Sequence, residues 1–235
     1  MKLSVIVPAY DEAGTIADVV RRVRAQESRD LSLEVVVVDD GSTDGTSAAA
    51  LSIVPAVTLL RHPENRGKGA AIRTALKSVT GDAVIVQDAD LEYDPVDLGR
   101  IAARLAAGDR VVYGSRILGE NPHSYLRYYW GGRFLTAAFN LLYGTRLTDV
   151  TTCYKGFARD ALAGVPLASR RFEFCIEVTA LMARRGETIV EIPIAYHPRS
   201  MSEGKKIRWH DGLKALGAML RYRFAGGPSR GAGVG

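Results

Sequence analysis

Near-continuous apolar runs alternate with stretches whose apolar residues recur three and four positions apart through the first half of the chain. The runs "LSVIVPAY", "LEVVVVDDGS", "VTLLRH", "GDAVIVQDAD" and "RVVYGSR" predict five strands. Between them "GTIADVVRRVRAQ", "TDGTSAAALSIV", "GKGAAIRTALKSV" and "DPVDLGRIAARLAAG" predict helices. The last of these begins with Asp94 as N-cap and Pro95 at the first helical position. Strands that read Val/Ile almost without interruption are buried on both faces, so the pattern predicts an α/β fold with a mostly parallel sheet covered by helices on both sides.

From about Asn121 the texture changes. "SYLRYYWGGRFLTAAFNLLYGTRL" is aromatic and carries arginines but no acid, "FEFCIEVTALMARRG" has helical periodicity, "ETIVEIPIAYH" reads as a strand, and "WHDGLKALGAMLRYRF" as a basic terminal helix. No internal linker or repeat interrupts this order. The expectation is one domain over 1–225 with a C-terminal amphipathic elaboration, and a tail at 226–235, "GGPSRGAGVG", with almost nothing to bury.

The aromatic helix over 124–146 fits two roles. Its Tyr and Phe residues could fill a core, or Trp130 and the tyrosines interleaved with arginines could lie at a membrane interface. The uncharged run between Arg133 and Arg146 is shorter than the ~18–20 residues that span a bilayer. The first residues are a strand followed by acids, which does not resemble a signal peptide.

At 235 residues and 47% hydrophobic content the chain can bury one good core. A net charge of +5 tolerates an anionic partner without pointing to nucleic acid, and no nucleic-acid partner is expected. Cys153 and Cys175 lack metal-ligand spacing and fit a reduced, cytoplasmic setting.

Polar clusters fall where predicted strands end: Pro8–Glu12, Asp39–Asp44, Asp88–Glu92 and Gly114–Arg116. One such cluster is what a solvated loop looks like. Four at the carboxyl ends of a parallel sheet lie where such sheets bind ligands. Asp88 and Asp90 point to the same side of an extended chain and repel each other unless a cation or proton sits between them. Asp39 and Asp40 end a buried strand, where a carboxylate can accept hydrogen bonds from a nucleobase or a ribose. Gly67, Lys68 and Gly69 at a helix start read either as ordinary helix N-terminal chemistry or as an anion site. Neither the P-loop nor the dinucleotide-binding glycine pattern is present.

Taken in order and spacing, "VPAYDEAGTI", "VVDDGSTDGT", "NRGKGAAIRTAL" and "VQDADLEYDP" resemble the inverting family 2 glycosyltransferases of GT-A fold. "YGSR", "DVTTCYKGF" and "EIPIAYHPRSMSEGKKI" are similar to segments of the dolichyl-phosphate (polyprenyl-phosphate) mannosyl- and glucosyltransferases. The resemblance covers residues 2 to 223. It implies that Pro8, Tyr10, Glu12, Asp39, Asp40 and Lys68 hold the nucleotide of a donor such as GDP-mannose or UDP-glucose. It implies Asp88 and Asp90 as ligands of Mg²⁺ or Mn²⁺, with Ala89 between them touching the donor and Glu92 also reaching the metal. Arg116 would line the catalytic centre with Asp90, and Arg199 and Lys205 would form the basic pair that closes over donor and acceptor phosphates.

The implied reaction moves a hexose from a nucleotide-diphospho-sugar donor to a polyprenyl phosphate acceptor, at the cytosolic membrane face, with peripheral membrane contact or a separate membrane-anchoring protein. A phosphate oxygen is ionised at neutral pH, so this acceptor needs no general base, whereas a sugar hydroxyl does. Glu173 reads either as such a base or as a helix cap. Two alternatives stand beside this expectation: a family 2 transferase with a soluble or saccharide hydroxyl acceptor, and a non-catalytic nucleotide-sugar-binding scaffold.

Overall fold

The computed structural model describes residues 1–53, 57–122, 126–199 and 209–224. The first half comprises β1 (Lys2–Ala9), α1 (Ile16–Arg24), β2 (Ser32–Asp39), α2 (Thr46–Leu51), β3 (Thr58–Arg61), α3 (Lys68–Ala75), β4 (Ala83–Val86), α4 (Leu98–Ala106) and β5 (Val111–Ser115). The second half adds α5 (Leu126–Tyr143), β6 (Lys155–Ala158), α6 (Arg159–Leu162), α7 (Phe174–Arg185), β7 (Ile189–Pro193) and α8 (Trp209–Phe224). All five predicted strands of the first half form. Asp94 caps a short 3-10 turn, Pro95–Asp97, by accepting from Val96 N at 3.0 Å, and α4 follows directly. The expected tail at 226–235 lies outside the described residues.

One seven-stranded sheet has the order β3-β2-β1-β4-β6-β5-β7. β3, β2, β1 and β4 are mutually parallel, and β5 and β7 are parallel to each other. β6 is antiparallel to both its neighbours. Residues Leu3 to Val7 are all buried, side chains of both faces alike, which requires cover on both sides of the sheet. The chain winds outward from β1 to β3 and returns to β4 on the other side of β1. That reversal opens a crevice at the carboxyl ends of β1 and β4.

β6 is the strand that hydrophobic patterning misses. It is four residues long, "KGFA", and its first residue is a fully buried lysine. Lys155 Nζ donates to Val150 O at 3.2 Å and sits 3.6 Å from the centre of the Tyr113 ring. Burial pushes this amine down to about 8 despite nearby Cys175 and Asp149. Gly156 is required by close packing, because a Cβ there would stand 2.6 Å from Ile101 Cγ2.

Two apolar clusters result. The larger surrounds the sheet and takes Phe174, Cys175, Val178 and Met182 from α7. The smaller joins α5, α7 and α8 through Phe139, Ile176, Ala180, Ala215 and Met219, with Leu147 and Val150 beside them. Helix α7 is buried on nearly every side and so ties the C-terminal helices to the sheet. The aromatic helix is packed on one side and exposed on another. Phe139 is core, stacked 4.3 Å from Tyr143, whereas Trp130, Phe134 and Leu141 of α5 are 64%, 64% and 87% exposed.

The smaller cluster is what fixes the C-terminal helices. Phe139→Ala should therefore lower the unfolding free energy by about 3–5 kcal/mol, the usual cost of deleting a buried aromatic side chain. Denaturant titration measures this, and a loss under about 1 kcal/mol would mean that α5 is not packed on α7 and α8.

Candidate active site

Strand ends β1, β2, β4 and β5 meet at one cleft of about 280 Å³. Of the residues singled out in the sequence, Pro8, Tyr10, Glu12, Asp40, Lys68, Asp88, Ala89, Asp90, Glu92, Arg116 and Arg199 line it. Lys205 lies outside the described residues.

Asp39 does not reach the cleft. Adjacent residues of an extended chain face opposite ways, and here only Asp40 faces inward. The Asp39 carboxylate is fully buried, accepts from Ser42 N at 2.8 Å and from the Ser47 hydroxyl, and lies 3.6 Å from Arg61 Nε. Burial alone would raise its pKa, but these hydroxyl and amide bonds hold it below the usual value. Asp39 therefore braces the "DDGSTDGT" turn.

Asp40 is also committed. It accepts from His62 Nδ1 at 2.6 Å, Arg66 N at 3.0 Å and Gly67 N at 2.7 Å. The anion at the start of α3 is thus the protein's own carboxylate. The glycines there answer to packing: a Cβ on Gly67 or Gly69 would come 2.4 Å from a backbone oxygen, of Arg170 or Ser169 respectively. Lys68 turns instead to Asp88, with which it forms an ion pair. Burial works against the charged amine, but Asp88 outweighs it and raises the Lys68 pKa.

Asp88 and Asp90 stand together on the cleft floor. Asp90 is pushed up to about 6, first by burial and then by the charge of Asp88, with Arg199 opposing. Arg199 Nη2 lies 2.7 Å from Asp90 Oδ2 and 3.2 Å from Glu12 Oε1. Leu91, between the acids Asp90 and Glu92, has φ 60°, a left-handed conformation that costs an ordinary residue roughly 1–2 kcal/mol. Asp11 (φ 50°) bends β1's exit similarly, and its carboxylate accepts from Thr43 N at 2.9 Å.

Glu92, at the end of the same acidic run, is held by hydrogen bonds from a distant segment. Its carboxylate accepts from Arg199 N and from Tyr196 Oη, both at 2.8 Å, and its carbonyl accepts from His197 N at 2.8 Å. These bonds dock segment 196–199 against the end of β4. Among the described residues no group of three or more His, Cys, Asp or Glu side chains is arranged to hold a metal ion. Glu92 thus lines the cleft beside the two aspartates while latching segment 196–199. The two aspartates alone still suit Mg²⁺ or Mn²⁺, which takes one or two carboxylates and completes its shell with water and substrate phosphate oxygens. Their mutual repulsion is the chemical sign of that fit.

Arg116 is held rigidly at the cleft wall. Its Nε and Nη2 donate to the two oxygens of Asp149 at 2.7 and 2.8 Å, and Nη2 also donates to Thr151 Oγ1 at 2.8 Å. The Tyr196 ring centre is 5.1 Å from its guanidinium carbon. Glu191 in turn accepts from Thr148 N at 2.6 Å and Asp149 N at 3.0 Å. Asp149 and Thr151 belong to "DVTTCYKGF", where an acid opening a polar motif is the only sequence sign of their role. Asn65, Tyr93, Arg171, Phe172 and Tyr196 also line the cleft and carried no pattern of their own. Glu173 occupies the N-cap position of α7 without a side-chain capping bond, just past the cleft-lining residues Arg171 and Phe172.

A model of the family described as "Glycosyl transferase family 2" matches residues 4–165. A low-salt glycan biosynthesis hexosyltransferase of Haloferax volcanii is 33% identical over 93% of this chain, which spans 53% of that protein. An undecaprenyl-phosphate mannosyltransferase of Micrococcus luteus is 28% identical, with 87% of each chain covered. Among solved structures, glucosyl-3-phosphoglycerate synthase from Mycobacterium tuberculosis, in complex with Mn²⁺, uridine diphosphate and glucosyl-3-phosphoglycerate, superposes with a TM-score of 0.75 at 20% identity. It covers 99% of this chain and 83% of its own, a likeness of fold that bears out the GT-A expectation. The chain thus spans only about half the length of the Haloferax relative.

A carboxylate whose folded pKa is raised stabilises the fold while protonated and loses that contribution as pH rises through the folded value. For Asp90 the loss runs from about pH 4 to above pH 6. Asp90→Asn should remove it and gain about 1–2 kcal/mol at pH 7.5 in metal-free buffer. Chemical denaturation at pH 4.5 and 7.5 checks this; equal stability of the two proteins at pH 7.5 would mean that the pair carries no repulsion.

Proposed function

Because the chain belongs to glycosyl transferase family 2, we propose that it is an inverting hexosyltransferase. It moves mannose or glucose from a nucleotide-diphospho-sugar to a polyprenyl phosphate. The observation that carries this proposal is the buried carboxylate pair Asp88–Asp90, faced by Lys68 and Arg199, at the carboxyl ends of a parallel sheet. A carboxylate pair that repels itself is suited to a divalent cation and a diphosphate. The names of the Haloferax and Micrococcus relatives support the hexose and the polyprenyl phosphate, and the Mn²⁺ complex of the Mycobacterium synthase supports the cation.

In the proposed reaction Asp88 and Asp90 hold Mg²⁺ or Mn²⁺. When bound, the cation neutralises charge that develops on the departing diphosphate. Pro8, Tyr10 and Asn65 wall the nucleotide side, with Asp40 fixing the loop that carries Asn65 and Gly67. Donor binding frees Lys68 and Arg199 from the aspartates and turns both cations toward phosphate oxygens. Arg116, kept in place by Asp149, faces the incoming acceptor phosphate. That phosphate's ionised oxygen attacks the anomeric carbon from the side opposite the leaving diphosphate, which inverts its configuration. No proton has to be removed, so the transfer needs no general base.

Helices α5 and α8 give the acceptor its setting. Leu126, Trp130, Phe134 and Leu141 on α5, and Leu213, Leu220 and Phe224 on α8, leave large apolar side chains exposed. Arg133, Arg221 and Arg223 are exposed on the same helices. Among the described residues no helix is long and apolar enough to cross a membrane. These helices are proposed to rest on the cytosolic membrane face as part of a single domain over 1–225. The cleft lies close by, since Thr136 of α5 accepts from Val150 N at 3.2 Å, next to cleft residue Thr151.

Purified protein with Mn²⁺, a panel of nucleotide sugars and a short polyprenyl phosphate should transfer labelled hexose into the organic phase. Label that stays in water, on a soluble hydroxyl acceptor, would favour the alternative acceptor class; no nucleotide release with any donor would favour the scaffold. Asp90→Ala should abolish Mn²⁺-dependent nucleotide binding by calorimetry. Arg116→Ala should cut turnover by about 10²–10³, the usual effect of removing one charge-stabilising donor.

A further inference from the structure

The chain's two cysteines are 22 residues apart in sequence and meet in the fold, with sulfurs 3.7 Å apart. Cys153 lines the cleft beside Lys68 and Asp88, whereas Cys175, in the first turn of α7, lies behind it and is buried. Nothing in the proposed transfer uses either thiol. We propose that Cys153 and Cys175 are a peroxide-sensitive dithiol that closes to a disulfide and thereby shuts the cleft.

The surroundings favour this chemistry. The Cys153–Cys175 hydrogen bond and the charges of Lys68 and Lys155 together bring the Cys175 thiol down to about 7, against the penalty of burial. The same bond and burial push the Cys153 thiol up, so of the two it is Cys175 that favours the thiolate, the reactive form. Hydrogen peroxide is small enough to reach the pair from the cleft. The Cys153 thiol passes its proton to the Cys175 thiolate along the hydrogen bond between them; the Cys153 sulfur then attacks one peroxide oxygen, the O–O bond breaks, and hydroxide leaves with a sulfenic acid formed on Cys153. Cys175 then attacks that sulfur, the S–O bond breaks, and water departs with the second thiol's proton. Two thiols and one peroxide become one disulfide and two waters.

Closure must draw the sulfurs from 3.7 Å to about 2.05 Å, so the Cys153 backbone or the first turn of α7 has to shift. Cys153 N donates to Tyr93 Oη at 3.1 Å, and the Tyr93 ring packs 5.2 Å from that of Tyr196. Tyr196 bonds Glu92 and covers Arg116. Two residues before Cys153, Thr151 accepts from Arg116. A displaced Cys153 therefore disturbs both the latch over the metal pair and the arginine on the acceptor side. This effect on turnover rests on the proposed function; the thiol chemistry does not.

The test treats the reduced full chain with hydrogen peroxide, then counts thiols after denaturation and measures intact mass. Titratable thiols should fall to none, with a mass loss of about 2 Da and a peptide pair linked through Cys153 and Cys175. Hexose transfer should fall about tenfold or more and return with dithiothreitol. Cys175→Ser should show no such mass loss and should instead gain a dimedone-trappable oxygen on Cys153. Two free thiols after peroxide, oxygen addition without a crosslink, or closure with turnover unchanged would each overturn the proposal. A protein that closes the disulfide but transfers no sugar even when reduced would overturn the proposed function alone.

Discussion

Two carboxylates, Asp88 and Asp90, are forced together in a place where water does little to screen them. Burial and mutual repulsion push Asp90 up to about 6, and the protein answers with its own cations, Lys68 on Asp88 and Arg199 on Asp90. Nearly every other feature of the cleft positions one member of this charge set. Asp40 fixes the loop that starts α3 and so aims Lys68. Glu92 and Tyr196 fix segment 196–199 and so aim Arg199. The conflict is tolerated because it is local: it sits at a strand end, and the sheet beneath it is closed on both faces by aliphatic packing.

The sheet's order explains why the conflict falls where it does. β4 joins the sheet beside β1, on the opposite side from β2, so the chain just past β4 opens into the crevice left by that reversal. Antiparallel β6 then turns the sheet toward β5 and β7, whose ends carry Arg116 and, through Glu191, the loop that holds Asp149. One end of the sheet thus presents an anionic floor and a cationic wall. Under the proposed function these correspond to the departing diphosphate with its metal and to the incoming phosphate.

Sequence periodicity made the parallel half of the fold legible because its strands are continuous apolar runs, and strand-end acids made Asp88, Asp90 and Asp40 legible as cleft residues. β6 escaped because its stability rests on a buried lysine and on a glycine that must pass close to Ile101, neither of which produces an apolar run. Asp39 and Asp40 look equivalent in the sequence, while the pleat brings only Asp40 to the cleft lining. Spacing also could not show that Glu92 already accepts from Tyr196 and Arg199, residues about a hundred positions later. The same long-range contacts hid Asp149 as the partner of Arg116. The arginine itself was legible at the end of β5.

The measurement closest to the central claim is anomalous scattering at the manganese edge from crystals grown with Mn²⁺ and a nucleoside diphosphate. The proposed site predicts one peak about 2.1 Å from oxygens of both Asp88 and Asp90, with diphosphate oxygens completing the shell. Lys68 and Arg199 should then have left the aspartates for the phosphates. Bound nucleotide with both ion pairs intact, or a metal ion seated away from these two carboxylates, would contradict it.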